Sequence, residues 1–264
     1  MITFQANQQT LKSAKLLESR ARNTYPHLST SKIRSQIGYE KTAPRFLERL
    51  KNDYQLMRKM IRESGDYYTA IIHTLSFGKI GNCTEDSMLT ELIGKINGQK
   101  NIYTACLGLK KDNEPTKYLD HVVAFISDKN IQDGKEYFFK NKDAIIIDPW
   151  LDTSNYVSDY FTKLKTVYRE RFMNRKDMRF ATFTNDKLAM QLLSQEAKTP
   201  QEFKKKRKEF FPHTQLCLIP FVSKTLKEEN INAIKENFPE LLIKKYVKIE
   251  LPKKTKIITI EKNK

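Results

Sequence analysis

GKIGNCTEDSMLTELIGKING, residues 78–98, is the stretch on which the fold turns. Gly81 permits a tight turn, Asn82 is a favourable N-cap, and Glu85 stands three residues later in the spacing of a capping box. That pattern predicts a helix starting at Cys83. Met88, Leu89, Leu92, Ile93 and Ile96 recur at one-, three- and four-residue steps and mark one buried face, and Asn97-Gly98 closes the helix. Cys83 is then the first helical residue, with its sulfur beside unpaired backbone N–H groups and the positive end of the helix dipole, where a thiolate is favoured. Glu85 and Asp86 share that first turn and work against the effect, so the thiolate needs a cationic partner.

Outward from this helix the pattern changes character. On the N-terminal side, residues 8–22 and 43–63 have apolar side chains at helical spacing, with breakers at Tyr25-Pro26-His27 and Ser64-Gly65-Asp66. Residues 67–75 are apolar without a decisive period. On the C-terminal side, residues 102–109, 121–126 and 144–147 are rich in β-branched and aromatic residues and read as strands, with a further short strand at 136–139. Past Trp150, residues 156–171, 186–198 and 200–211 read as helical and 216–222 as a strand. A helix within 224–245 breaks near Pro239, and 246–251 with 256–261 form a closing strand pair through Pro252. Helices, then a helix opening on a cysteine, then a run of strands is the order of an α+β protein with an antiparallel sheet. The expected organisation is a helical N-terminal part (1–70) packed on the core, a central core (71–160), and a basic α/β part (161–264) that completes the core or recognises substrate.

His121 opens the strand run His-Val-Val-Ala-Phe-Ile, and Asp148 ends Ile-Ile-Ile-Asp just before Pro149-Trp150. If these two strands are antiparallel neighbours, the start of the first lies beside the end of the second, and His121 meets Asp148 at one end of the sheet. Asp148 would then fix the imidazole while His121 takes the proton of Cys83: a Cys-His-Asp triad.

Gly81-Asn82-Cys83 opening a helix, Asp120-His121 opening a hydrophobic strand and Asp148-Pro149-Trp150 closing one resemble the motifs of papain-like (transglutaminase-like) cysteine hydrolases. The likeness is closest to the glutamine deamidases and cysteine proteases among injected bacterial effectors and toxins. The separations, 38 residues from cysteine to histidine and 27 from histidine to aspartate, suit that family, the loop 127–143 lengthening the second. The likeness covers residues 75–155. It implies a papain-like core and thiol chemistry on an amide: deamidation of a protein glutamine, peptide cleavage or transglutamination. It also implies a host protein as substrate, and no cofactor. In one respect the chain departs from the pattern. Papain-like proteases carry a glutamine shortly before the cysteine to help bind the oxyanion, and residues 73–82 contain none. The backbone N–H of Cys83 can contribute, and Asn82 is the side-chain candidate, though its role as N-cap competes.

Each of these residues has an ordinary alternative. A lone cysteine is most often core filler, and Cys106 and Cys217, inside strand patterns, are read that way. Trp150 serves equally as a core anchor or as a wall of the site. His73, ten residues before Cys83, is a rival base; His27 and His213 have no suitable context. His213 and Cys217 are four apart, but the run around Cys217 reads as strand, so no metal pair is expected. Three cysteines without a CxxC pair rule out a disulfide framework and point to a reducing compartment. Phosphate-loop and dinucleotide patterns are absent.

The net charge of +17 is uneven. Residues 1–160 hold 23 basic and 19 acidic side chains, and residues 161–264 hold 25 and 12, so the excess lies in the C-terminal part. Lys204-Lys205-Lys206-Arg207-Lys208 suits an anionic partner or membrane surface, but no aromatic-interleaved basic motif marks nucleic-acid binding. The plain alternative is a solvated lysine excess. No stretch reaches the roughly 20 apolar residues that span a bilayer, and residues 1–15 lack the apolar core of a Sec signal. With the bacterial origin that the resemblance implies, the expectation is synthesis in the cytoplasm, with export by a route that needs no cleavable signal left open. A second functional class competes with the enzyme: a catalytically inactive relative whose basic C-terminal region engages a protein, membrane or nucleic acid.

Overall fold

The computed structural model describes residues 2–25, 28–29, 67–78, 80–111, 113, 115–140, 142–164, 214–221 and 228–251, with isolated positions between 52 and 63. The chain is α+β: a six-stranded antiparallel sheet with helices against it. Helix α1 (Ile2–Thr24) is followed by β1 (Leu28–Ser29), then α2 (Tyr67–His73), which runs into a π-helical turn (Thr74–Gly78). The segment β2 (Ile80–Gly81) pairs in parallel with β1 and leads into α3 (Cys83–Ile96). Then come β3 (Ile102–Lys111), β4 (Lys117–Ser127), β5 (Tyr137–Phe138), β6 (Ala144–Asp148), β7 (Thr153–Tyr156), β8 (Thr214–Pro220) and α4 (Glu228–Asn237). The strand order is β5-β8-β3-β4-β6-β7, every neighbour antiparallel.

Both ends of α3 follow the sequence signals. Asn82 and Glu85 form the capping box, with the Glu85 carboxylate accepting the Asn82 N–H at 2.9 Å. At the other end Gly98, with φ +89, closes a Schellman motif: its N–H bonds the Lys95 carbonyl and the Gln99 N–H bonds that of Gly94. Between them almost every residue is buried, because α3 lies under α1, α2 and α4 and over the sheet. One face of the sheet (Ile102, Ala124, Ile126, Ile145, Ile147) joins that helical core. The alternate residues (Ala105, Leu107, Val123, Phe125, Ile146) form a second core with Val157, Tyr160 and Leu164, which lie in the helical residues 157–164. A sheet buried on both faces explains why its central strands read as continuous hydrophobic runs.

Several expectations change. The segment 67–75 is helical, with Tyr68, Ile71, Ile72 and Leu75 in the core. Residues 246–251 form no strand. Their hydrophobic residues, Ile249 and Leu251, do reach the core, but a side chain takes the backbone pairing. The Gln99 amide accepts the Ile249 N–H at 2.8 Å and donates to its carbonyl at 3.3 Å, as a partner strand would. Residues 43–51, 165–213 and 252–264, including the helices read at 186–198 and 200–211, the lysine run 204–208 and the strand 256–261, lie outside the described residues. Among the described residues no helix is long and apolar enough to cross a membrane.

Candidate active site

His121 does not open its strand, since β4 begins four residues earlier at Lys117. The pairing explains why its position still works. Along β3, Cys106 faces Val122 and Gly108 faces Tyr118, so residues 119–121 of β4 bulge opposite Leu107 alone. On the other side β6 pairs with β4 only over Ala124–Ser127, so His121 lies beyond the paired stretch. A bulge re-aims a side chain at a sheet end, and His121 sits on one.

Asp148 is the last residue of β6, in phase with Ala144 and Ile146 and so on the face of the second core. Since Ile147 is opposite Ala124, Asp148 comes opposite Val123 and diagonal to His121. The two side chains meet: His121 Nε2 and Asp148 Oδ2 are 2.7 Å apart. Asp148 is fully buried and His121 is 6% exposed. The Tyr160 hydroxyl donates to the same Oδ2 at 2.7 Å, and the Leu151 N–H donates to Oδ1 at 3.0 Å. That last bond, with the Asp152 N–H to Pro149 carbonyl bond, folds residues 148–152 into a tight turn ending at Asp152, whose φ of 54 is one an aspartate tolerates.

Cys83 approaches from the helical layer. One turn into α3, the buried Ser87 hydroxyl donates to the Val122 carbonyl at 2.9 Å, tying the helix to β4 beside His121. Nε2 is committed to Asp148, and Cys83 lies close enough for its sulfur to act on the same imidazole. Burial acts to lower the pKa of His121, but the charge and hydrogen bond of Asp148, helped by Cys83, outweigh it and raise it well above 6.5. The net effect favours the charged imidazole, the kind of partner the acidic first turn of α3 calls for. Trp150 lies half-buried with its ring centroid 5.3 Å from that of His121, tilted by 56°, and so walls the imidazole.

The three residues read as a triad are therefore brought together, and Trp150 joins them. Asn82 is beside them but is bound into the helix cap. The rival base His73 belongs elsewhere: it is exposed, packs edge-on against Phe238, and lines a cavity of about 370 Å³ between α2 and α4. Cys217 is buried in β8, where burial pushes its thiol up to about 12. Cys106 lies in β3, and His27 and His213 lie outside the described residues. Among the described residues no group of three His, Cys, Asp or Glu side chains could hold a metal.

Sequence reasoning missed Tyr160, Ser87 and the Leu151 N–H. A tyrosine in an amphipathic helix looks like any core aromatic, and a serine on a buried helix face looks like a small filler. A second polar knot was also missed, joining α1 to the turn. Ser154 donates to Glu18 at 2.6 Å, and Arg22 pairs with Asp152. Burial foremost, with Asp152 adding to it, raises the Glu18 carboxyl to about 7.

No family model matches this sequence, and neither the curated proteins nor the solved structures contain a significant match to it.

Proposed function

We propose that the protein is a cysteine-dependent amidohydrolase that acts on a protein substrate through Cys83, His121 and Asp148, on a papain-like (transglutaminase-like) core. The observation that carries this reading is one arrangement. A buried imidazole is bound on one nitrogen by a buried carboxylate at 2.7 Å, with a helix-opening cysteine beside the ring. The Cys83 thiolate attacks the carbonyl carbon of the substrate amide, and the C–N bond breaks as His121 gives its proton to the departing nitrogen. Water, deprotonated by His121, then cleaves the thioester, which releases the carboxylate and restores the thiol. The backbone N–H of Cys83 is the first donor to the oxyanion, and Asn82, which caps the helix, is the side-chain candidate. Glutamine deamidation is preferred over proteolysis and transglutamination on the likeness of the three motifs, which also favours a bacterial effector that meets a host protein.

The test is the alkylation rate of each cysteine against pH, read by peptide mass spectrometry. Cys83 is expected to react with iodoacetamide faster than the other two cysteines, and to lose that advantage in His121→Ala. Cys217 and Cys106 are internal controls. If all three react slowly and alike, the enzymatic reading fails, and a binding module that uses the basic C-terminal region replaces it.

A further inference from the structure

Tyr160 is the least expected member of the site. It is fully buried in the second core, where Phe125 and Phe139 fill similar space without a hydroxyl. A buried phenol costs free energy unless it finds a partner, so a phenylalanine would do for packing alone. Here the hydroxyl goes to the most consequential acceptor available, Asp148 Oδ2, at the same 2.7 Å as His121 Nε2. Two donors on one oxygen share its electron density, and in a dry site that sharing is strong.

We propose that Tyr160 is a positioning residue of the hydrolase. By donating to the carboxylate oxygen that receives the imidazole, it orients Asp148 and moderates the grip of Asp148 on His121. The inference rests on the triad reading above. His121 has two tasks: to stay protonated opposite a thiolate, then to hand that proton to the leaving nitrogen. A carboxylate that spent Oδ2 on the imidazole alone would hold the cation more tightly and slow the second task. The Leu151 N–H occupies Oδ1, so with Tyr160 present the carboxylate can neither rotate nor concentrate its charge on the ring.

The test is a ring-labelled histidine titration by NMR. The chain has only four histidines, so the spectrum is simple, and His121→Gln identifies the resonance. In Tyr160→Phe the inflexion of His121 is expected to rise by roughly half to one pH unit, a fraction of the strength of a charge-assisted hydrogen bond. Replacing Tyr160 alone by 3-fluorotyrosine, a more acidic phenol, keeps the volume and is expected to move the inflexion down; this arm holds even if the phenylalanine variant fails to fold. His73 should not move in either protein. An unmoved His121 inflexion in the fluorotyrosine protein overturns the proposal and leaves Tyr160 as packing. Failure of the triad reading is read separately, in the wild-type chain, as a Cys83 that alkylates no faster than Cys106.

Discussion

Two buried carboxylates on different faces of the sheet each receive three donors. Glu91, in the middle of α3, takes the Tyr68 hydroxyl at 3.1 Å, the Lys95 ammonium at 2.6 Å and the Thr104 hydroxyl at 2.5 Å. Asp148, at the end of β6, takes His121 and Tyr160 at 2.7 Å and the Leu151 N–H at 3.0 Å. Both are satisfied, so hydrogen-bond counting does not separate them. The difference lies in the charge that balances each. Lys95 is a fixed cation with nothing reactive behind it, so Glu91 simply ties α2 and α3 to β3. His121 is titratable, with a partly exposed thiol beside it, so under the proposed function Asp148 governs a proton. A buried carboxylate becomes part of a reaction centre through what its partner can do next.

The sharpest way to break this comparison is to neutralise each carboxylate. Asp148→Asn keeps the volume but removes the charge that holds the imidazolium and orients its tautomer. Loss of the amidohydrolase rate by roughly 10³- to 10⁴-fold is expected, the scale seen when the aspartate of a Ser-His-Asp triad is amidated. Cys83 alkylation at low pH should fall with it. Stability carries a second signature. The folded-state pKa of His121 is raised, so its ion pair stabilises the fold fully below the unfolded value of about 6.5. That contribution is lost as pH rises through the higher folded-state value. Urea midpoints of the wild type should therefore decline on the alkaline side, and those of Asp148→Asn should lack this decline. An asparagine variant with unaltered Cys83 reactivity would sink the assignment.

Glu91→Gln should do the reverse. The Lys95 ammonium loses its counter-charge, and the Thr104 and Tyr68 hydroxyls meet an amide that can no longer accept at both ends. A loss of roughly 2–4 kcal/mol is expected, because one member of a largely buried ion pair is removed. Alkylation of Cys83 per folded molecule should stay within about twofold of the wild type. Denaturant unfolding and mass spectrometry on the same sample separate the two quantities. If reactivity falls as far as in Asp148→Asn, the two carboxylates belong to one network, and the contrast drawn between them is void.

The meeting of Cys83, His121 and Asp148 was legible in the sequence because its parts are marked by local rules. A cap and a capping box announce where α3 starts, and a polar residue at the end of an apolar run announces where β4 and β6 meet the site. Antiparallel pairing then brings His121 and Asp148 to one end of the sheet, and the bulge completes their approach. What stayed illegible depends on tertiary geometry. The bulge at 119–121 is a mismatch between two strands, which neither strand records alone. The Gln99 amide stands in for a strand at Ile249, across 150 residues of chain. Glu91 looked like one more acidic residue of an amphipathic helix, although α3 is covered on nearly every side. Lys95 is its i,i+4 neighbour on the same helix, but Tyr68 and Thr104, 23 and 13 residues away, are selected only by the fold.

The mildest perturbation tests whether the two ends of α3 are independent. Gly94 faces Ile102, and a Cβ there would come within 2.7 Å of the Ile102 Cδ1 and 3.1 Å of its Cγ2. Ile102 is fully buried, so Gly94→Ala must turn that side chain or lift the C-terminal turn of the helix. Such overpacking costs about 1–3 kcal/mol, and replacing a helical glycine by alanine returns about 1 kcal/mol. The net expectation is a destabilisation between roughly zero and 2 kcal/mol, read from the urea midpoint. Glu91, less than one turn away, should feel the shift. Cys83 lies eleven residues, or about 16 Å, back along the axis and is tied to β4 by its own Ser87 bond, so its alkylation rate should not change. If that rate drops with the stability, α3 moves as a rigid rod, and the Glu91 knot sets the position of the nucleophile as well as the strength of the core.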